Sequence, residues 1–565
     1  MIRVLNSFWK AFGRMAAAVI LFAFLAGAAA AENAPVLRAG SPDRCTETVV
    51  SRSGSMGMVL SLPGFWDPSA VTLEIEGAEE FSLGSDRKVI RAGEAADLTA
   101  YIGQAVPVYS AAGRNLGRLT VYHGSAVPAL FLSVDPQQLT RVNHSKENRI
   151  TEGRAVFAEA DGTVSYAGAL TQMKGRGNNT FAYAKKPYQL KLEKKASLAG
   201  MNRAKTWVLL ANWNDVSLLR NQIVLDLARE TGLPCAVSCV QTDVWINGVY
   251  NGLYLLAEKV QIKPERIAIS DLEDETEELN DTPPESRKLL RKATEELPLY
   301  RGYDTPVNPP DITGGYLFAI EKFTRLRDYL IAGFRTGAGL SFRIVEPTYP
   351  SLEQTEYLGL LMNDVHQSVI AADGISPQTG RTYREYLDLP SFALKFLIED
   401  WCKNYDFIGG SQYMYKDRDS VNPKIYAGPA WDYDLSFGNM TDRGFDPKGE
   451  YLAENPRKTG NLYGLLSAHD DFRSEAASLW KDVFRPAVAV LLGEREGERG
   501  RVIRPLDEYA EAIADSAAMN FARWGVGAKS APVAGKSFEN AVRYLENWMR
   551  VRTEYMDGAW GTPAP

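Results

Sequence analysis

Apolar and polar residues alternate along the first third of the chain and take helical spacing along most of the last third. Val71 to Ile75 (VTLEI), Ala105 to Val108 and Leu119 to Tyr122 have period two, the pattern of strands with one buried face. Gly, Pro, Asp and Asn separate them, so residues 32–127 are expected to form a small β-sandwich-like accessory domain. An apolar run, ALFLSV, opens a second region at Pro128 that reaches Arg266. Its expected order is strand, glycine-rich turn, strand, helix, strand, strand. Leu219, Ile223 and Leu227 recur at helical spacing; Asp215 or Ser217 is placed to cap that helix, and Gly232 with Pro234 ends it. Thr242 to Ile246 and Leu253 to Val260 follow as strands, with a hairpin turn beginning at Asn247-Gly248.

Residues 267–310 break the pattern. Acidic and basic runs alternate there with Pro and few large apolar residues, which predicts an exposed insertion, helical around Glu285 to Glu296. Residues 311–565 read as mostly helical after the strand YLFAIE. Ser391 to Lys403 places Phe392, Phe396, Leu397 and Trp401 on one side. Trp480, Phe484, Trp524 and Trp548 are expected in the core.

Composition narrows the function. Arg3, Lys10 and Arg14 precede an apolar stretch and the small residues Gly27 to Ala31, the layout of a signal peptide cut after Ala31. The protein is therefore expected to be exported: periplasmic, secreted or at the cell surface, with no membrane span once residues 1–31 are removed. That segment holds three cations and no acid, so its loss takes the net charge from −7 to −10. A mildly acidic mature chain argues against nucleic-acid binding, which needs cations against phosphates. Cys45, Cys235, Cys239 and Cys402 are spaced for neither a redox nor a zinc motif and are expected to be buried or disulfide-bonded thiols.

Two stretches carry candidate chemistry. In Lys174-Gly175-Arg176-Gly177-Asn178-Asn179-Thr180, glycine and asparagine permit a turn whose N–H groups converge on an anion, and two cations flank it. A solvated basic hairpin has the same composition. In the following YQLKL, Lys191 falls on the side opposite Tyr188, Leu190 and Leu192, toward the glycine turn. Downstream, the order is a helix, Asp406 in a loop, a hairpin, and Asp432 with Asp434 at a strand end. A carboxylate that orients a hydroxyl and a pair that holds a hard cation are what phosphoryl transfer requires. Asp417 and Asp419 read as turn residues.

These stretches together resemble the CotH family of atypical kinases. The resemblance rests on MKGRGNNTF…KKPYQLKL, KTWVLLANWNDVSLLRNQIVLDLARETGL, DVWINGVYNGLYLLAEKV, GGYLFAIE and KNYDF…YMYKD…GPAWDYDLSFGN. It implies an α+β, atypical protein-kinase-like fold: an antiparallel β-rich N-lobe over 128–266, a mainly helical C-lobe over 311–565, and a small all-β domain before them. It implies transfer of phosphoryl from ATP, with Mg²⁺ (or Mn²⁺), to secreted or surface proteins. By that resemblance Asp406 is the catalytic aspartate, and Asp432 and Asp434 hold metal. Lys191 grips phosphate, and Lys174, Gly175, Arg176, Gly177 and Asn178 form the nucleotide loop. Glu258 contacts the nucleotide edge or pairs with a cation in the cleft. The first loop position is Lys174 where the family has Arg. Five residues after Asp406, where ordinary kinases place a metal-binding Asn, stands Ser411. The rival reading is a non-catalytic surface or adhesion protein on the same fold. The third reading is a carboxylate-dependent hydrolase or a calcium module; the sequence has neither G-x-S-x-G nor HExxH, and a hydrolase would not need the glycine turn and lysine strand.

Overall fold

Seven strands between Ala129 and Glu258 hydrogen-bond in a closed ring. In order they are Ala204–Leu210, Tyr188–Ala196, Val164–Gly175, Gly153–Ala158, Ala129–Val134, Cys239–Ile246 and Val249–Glu258, which pairs back to Ala204–Leu210. The computed structural model describes residues 37–561 except 41–46, 50, 53–56, 76–77, 294–297, 329–330, 409, 441–443, 454–460, 499 and 526–536. The expected signal peptide and Cys45 lie outside the described residues.

Strand periodicity builds two cores from this one ring. Leu190, Leu192, Trp207, Leu209, Tyr254 and Leu256 point inward and fill the barrel. The residues between them, Val208, Leu210, Leu253, Leu255 and Ala257, point outward and join the large core of the C-terminal half. The helix Arg220–Glu230 lies in that second core, with every residue from Arg220 to Ala228 buried. Asn247 and Gly248 both take positive φ (51° and 78°), which is the turn the Asn-Gly pair predicts.

The N-terminal strands form two layers around Leu60, Leu73, Phe81 and Val121. One layer is not separate from the barrel. Leu37–Gly40, Glu47–Val49, Val71–Ile75 and Ala95–Ala96 continue the large sheet, through the pairing of Val249 with Val49.

One expectation for the second half is corrected. Segment 267–310 is helical at Leu272–Glu278, with Asp271 as its cap; beyond the short turn Pro284–Ser286, Leu289–Ala293 pairs with Leu299–Tyr303. The chain after 310 is mostly helical, as expected, but carries more strands than the sequence suggested. Those two strands head a seven-stranded antiparallel sheet completed by Gly333–Arg335, Ser341–Glu346, Tyr316–Ile320, Tyr413–Lys416 and Ile425–Ala427. The strands are three to six residues long, too short to show a period, and three local hairpins are joined through pairings between strands further apart in sequence. The helices are Leu352–Ile370, Leu389–Cys402 and those that run from Leu462 to Trp560. The fold is mixed α+β. Cys235, Cys239 and Cys402 are free thiols. No helix among the described residues is long and apolar enough to cross a membrane.

Candidate active site

The glycine segment leaves the sheet at the end of Val164–Gly175 and returns at Tyr188. Gly175 is required by packing, because a Cβ there would lie 2.1 Å from the Phe181 ring; Gly177 is required by conformation, with φ +80°. The Arg176 N–H bonds to Pro187 O at 3.1 Å and closes the base of the loop. The N–H groups of Gly177 and Asn178 make no hydrogen bond among the described residues.

Arg176 reaches across to the C-terminal half. Its guanidinium stacks over Trp431, 5.2 Å from the ring centroid. Burial holds its pKa below the usual value, and Asp432 and Tyr413 act against that. Its guanidinium makes no hydrogen bond among the described residues and is only half-buried, so its five donors face solvent and are open to an anion. Lys174, on the same face, is half-buried and has its pKa lowered by burial first, then by Arg149 and Lys259. Lys259 itself stands 4.0 Å from Glu346.

The carboxylates meet this wall from below. The helix Leu389–Cys402 ends with Lys403 in the left-handed region, and the turn Tyr405–Ile408 carries Asp406. Asn404 links the two acidic segments: its Oδ1 accepts from the Asp406 N–H at 3.1 Å, and its Nδ2 donates to Asp432 O at 3.3 Å. Asp432 has φ +74°, an uncommon conformation for a side-chain-bearing residue. Ser411 Oγ donates to Asp432 Oδ2 at 3.0 Å. Asp434 is buried, and its pKa is raised well above the carboxylate range by desolvation and then by Asp432, Asp406 and Asp215. Crowded carboxylates of this kind are relieved by a cation.

The donor set suits Mg²⁺ in a restricted way. Among the described residues no three His, Cys, Asp or Glu side chains are gathered as an ion cage. Mg²⁺ usually takes one or two carboxylates and completes its octahedron with phosphates and water. Asp432 and Asp434 are such a pair, and Arg176 marks where an anion would enter.

Residues the sequence reading left aside hold the pair in place. Asn214 donates to Asp434 Oδ2 at 3.3 Å, and Asn439 donates to Asp434 O at 2.7 Å and Asn214 O at 2.9 Å. Asn221 Oδ1 accepts from the Tyr433 N–H at 2.7 Å. Arg220 pairs with Asp215 at 2.5 Å, both side chains no more than 1% exposed, and donates to Ser436 O at 3.0 Å. The segment NWNDVSLLRN thus grips WDYDLSFGN. The N-cap is Leu219, not Asp215 or Ser217 as expected, though Asp215 does take the Arg220 N–H at 2.9 Å. A signal existed: six polar residues in ten lead into a helix that is otherwise apolar on its core side.

Not every expected site residue comes to the cleft. Lys191 aligns with Gln172 and Thr206 on the outer barrel face shared with Lys174, and is exposed. Glu258 pairs with Trp207, so it faces the barrel interior. There it binds Arg266 at 2.7 Å, and Arg266 covers Trp207. Alternation turns the next residue, Lys259, the other way.

Fold and site define a class: a mixed α+β protein whose glycine loop brings Arg176 toward an aspartate pair, Asp434 buried and Asp432 half-buried. The family model for CotH kinase protein matches residues 173–556, and the chain belongs to that family. No curated protein matches it.

Proposed function

We propose that the protein is an exported CotH-type atypical kinase that moves the γ-phosphoryl group of ATP to Ser or Thr of secreted or surface proteins. The observation that carries this reading is Arg176. It lies half-buried over Trp431, within the field of Asp432, with its side-chain donors unspent among the described residues, a position suited to an anion. Membership of the CotH kinase family supports the same reading.

The N-lobe of this kinase is the barrel, and the C-lobe is the short-stranded sheet with its helices. Lys174, Arg176 and the free N–H groups of Gly177 and Asn178 hold the phosphates, with Lys191 and Lys259 on the outer wall. Asp406 orients the acceptor hydroxyl and takes its proton. Asp432 and Asp434 hold Mg²⁺ or Mn²⁺, which when bound neutralises charge on the β- and γ-phosphates. Ser411 and Asn214 fix the two carboxylates, and Asn404 keeps Asp406 in step with Asp432. Catalysis here is positioning plus electrostatics.

Nucleotide binding tests the reading. The mature chain with ATP and Mg²⁺ is expected to melt at a higher temperature than with either alone, and Asp432→Ala is expected to remove the increment. An unchanged melting temperature in ATP and Mg²⁺ would favour the non-catalytic alternative.

A further inference from the structure

The loop that carries Arg176 has a second side. Ala184 and Lys186, near its return, line a cavity of about 310 Å³ that lies against the Trp524 end of the helix Ala514–Trp524. Leu139, Ile246, Val249 and Trp524 supply apolar wall. The polar side chains of the cavity are Asn143, Lys186, Asn247, Asn251 and Arg523, together with the Tyr188 hydroxyl, and none of the described lining residues is an acid.

Those polar groups are held and yet unspent. Arg523 donates Nε–H to Tyr250 O at 3.2 Å and lies 4.7 Å over the Trp524 ring, while Trp524 Nε1 donates to Asn251 O at 2.9 Å. Both terminal nitrogens of Arg523 are without a partner among the described residues. Asn247 Oδ1 is taken by the Val134 N–H at 2.8 Å and Asn143 Oδ1 by the Tyr188 hydroxyl at 2.7 Å, which leaves both amide NH₂ groups to donate. Lys186 uses one proton on Phe181 O at 2.7 Å. Asn251 gives its NH₂ to Tyr254 at 2.8 Å and keeps Oδ1 as a spare acceptor. Desolvation lowers the pKa of both Lys186 and Arg523, the condition in which an anionic partner gains most.

The geometry points to a second anion site in this cavity, distinct from the aspartate cleft, that takes a small organic phosphate. Its phosphate sits among Arg523, Lys186 and the amides of Asn143 and Asn247, and its apolar body lies on Trp524 and Ile246. A phosphate fits better than a carboxylate because four separate donor groups surround the cavity, and three oxygens can serve more of them than two. The spare Asn251 oxygen suits a hydroxyl on the same ligand. The site shares a wall with the proposed nucleotide loop, since Phe181 packs on Gly175 and accepts from Lys186. It does not rest on the kinase reading.

Calorimetric titration of the mature chain with phenyl phosphate, without nucleotide or metal, tests the site. One equivalent is expected to bind, about tenfold or more weakly in Arg523→Gln, as expected when a charged hydrogen bond is lost. Lys186→Met is expected to weaken it in the same direction, so a folding defect in one variant does not decide the matter. Absence of binding, or wild-type affinity in both cavity variants, overturns the proposal.

Discussion

Asn214 donates its side-chain N–H to Asp434 Oδ2 at 3.3 Å, across 220 positions of the chain. One partner stands at the exit of a barrel strand, and the other ends the acidic segment of the C-terminal half. The bond ties the two halves of the protein at the cleft, and Asn439 repeats the tie from the same segment.

Replacing Asn214 by Leu leaves a buried carboxyl without its donor. We expect a loss of about 1–3 kcal/mol in urea unfolding. We also expect weaker stabilisation by ATP with Mg²⁺. A variant with wild-type stability and wild-type nucleotide response would show that the tie has no consequence.

Arg220 and Asp215 form a fully buried ion pair beneath the same loop. Arg220→Met strands the Asp215 charge and is expected to cost about 3–5 kcal/mol. Asp215→Asn on top of Arg220→Met removes that charge and should recover part of the loss. A double variant no more stable than Arg220→Met would contradict the pairing.

The barrel strands and the buried helix are legible in the sequence because their apolar residues keep a strict period. In Tyr188–Ala196 the residues Tyr188, Leu190 and Leu192 are buried while Lys191 and Glu193 are exposed, as the alternation predicts. Asp432 and Asp434 are legible because an acidic pair at a strand end is unusual. Closure of the barrel is not: it depends on Trp207 to Leu210 finding Leu255 to Glu258, and no local pattern encodes that pairing. The role of Asn214 and Arg220 is hidden for a related reason. Polar residues ahead of a helix look like caps until the segment they bind is known. Glu258 is a converse case: it stands at a strand end and meets a cation, Arg266, while alternation turns it toward the barrel interior.

The cations of the loop are expected to differ in weight. Arg176→Gln removes half-buried charged donors and should weaken ATP binding by about 1.5–3 kcal/mol. Lys191→Gln removes an exposed charge and should cost about 1 kcal/mol or less. Fluorescent-nucleotide titration of both variants checks the ranking. The reverse order would move the phosphates outward along the barrel face.

Asp226 sets a pH dependence away from the cleft. Burial raises its pKa to about 7, against the pull of Tyr509, Arg229, Arg504 and Gln222. The folded value lies above the ordinary aspartate value of 3.8, so the folded state binds the extra proton between them. The stability linked to that proton is fully present below 3.8 and is lost as pH rises through about 7. Asp226→Asn removes the titration, so its melting temperature should gain on the wild type as pH rises across that window. A difference that stays flat with pH would refute the assignment.

The most direct test of the kinase reading is transfer of label from γ-labelled ATP, with Mg²⁺ or Mn²⁺, to the mature chain itself or to a secreted-protein extract. Asp406→Asn and Asp432→Ala should be run beside the wild type. Label on Ser or Thr with the wild type, lost in both variants while they keep the wild-type fold, is the predicted result. Equal labelling by all three proteins, or none by the wild type under either metal, contradicts it.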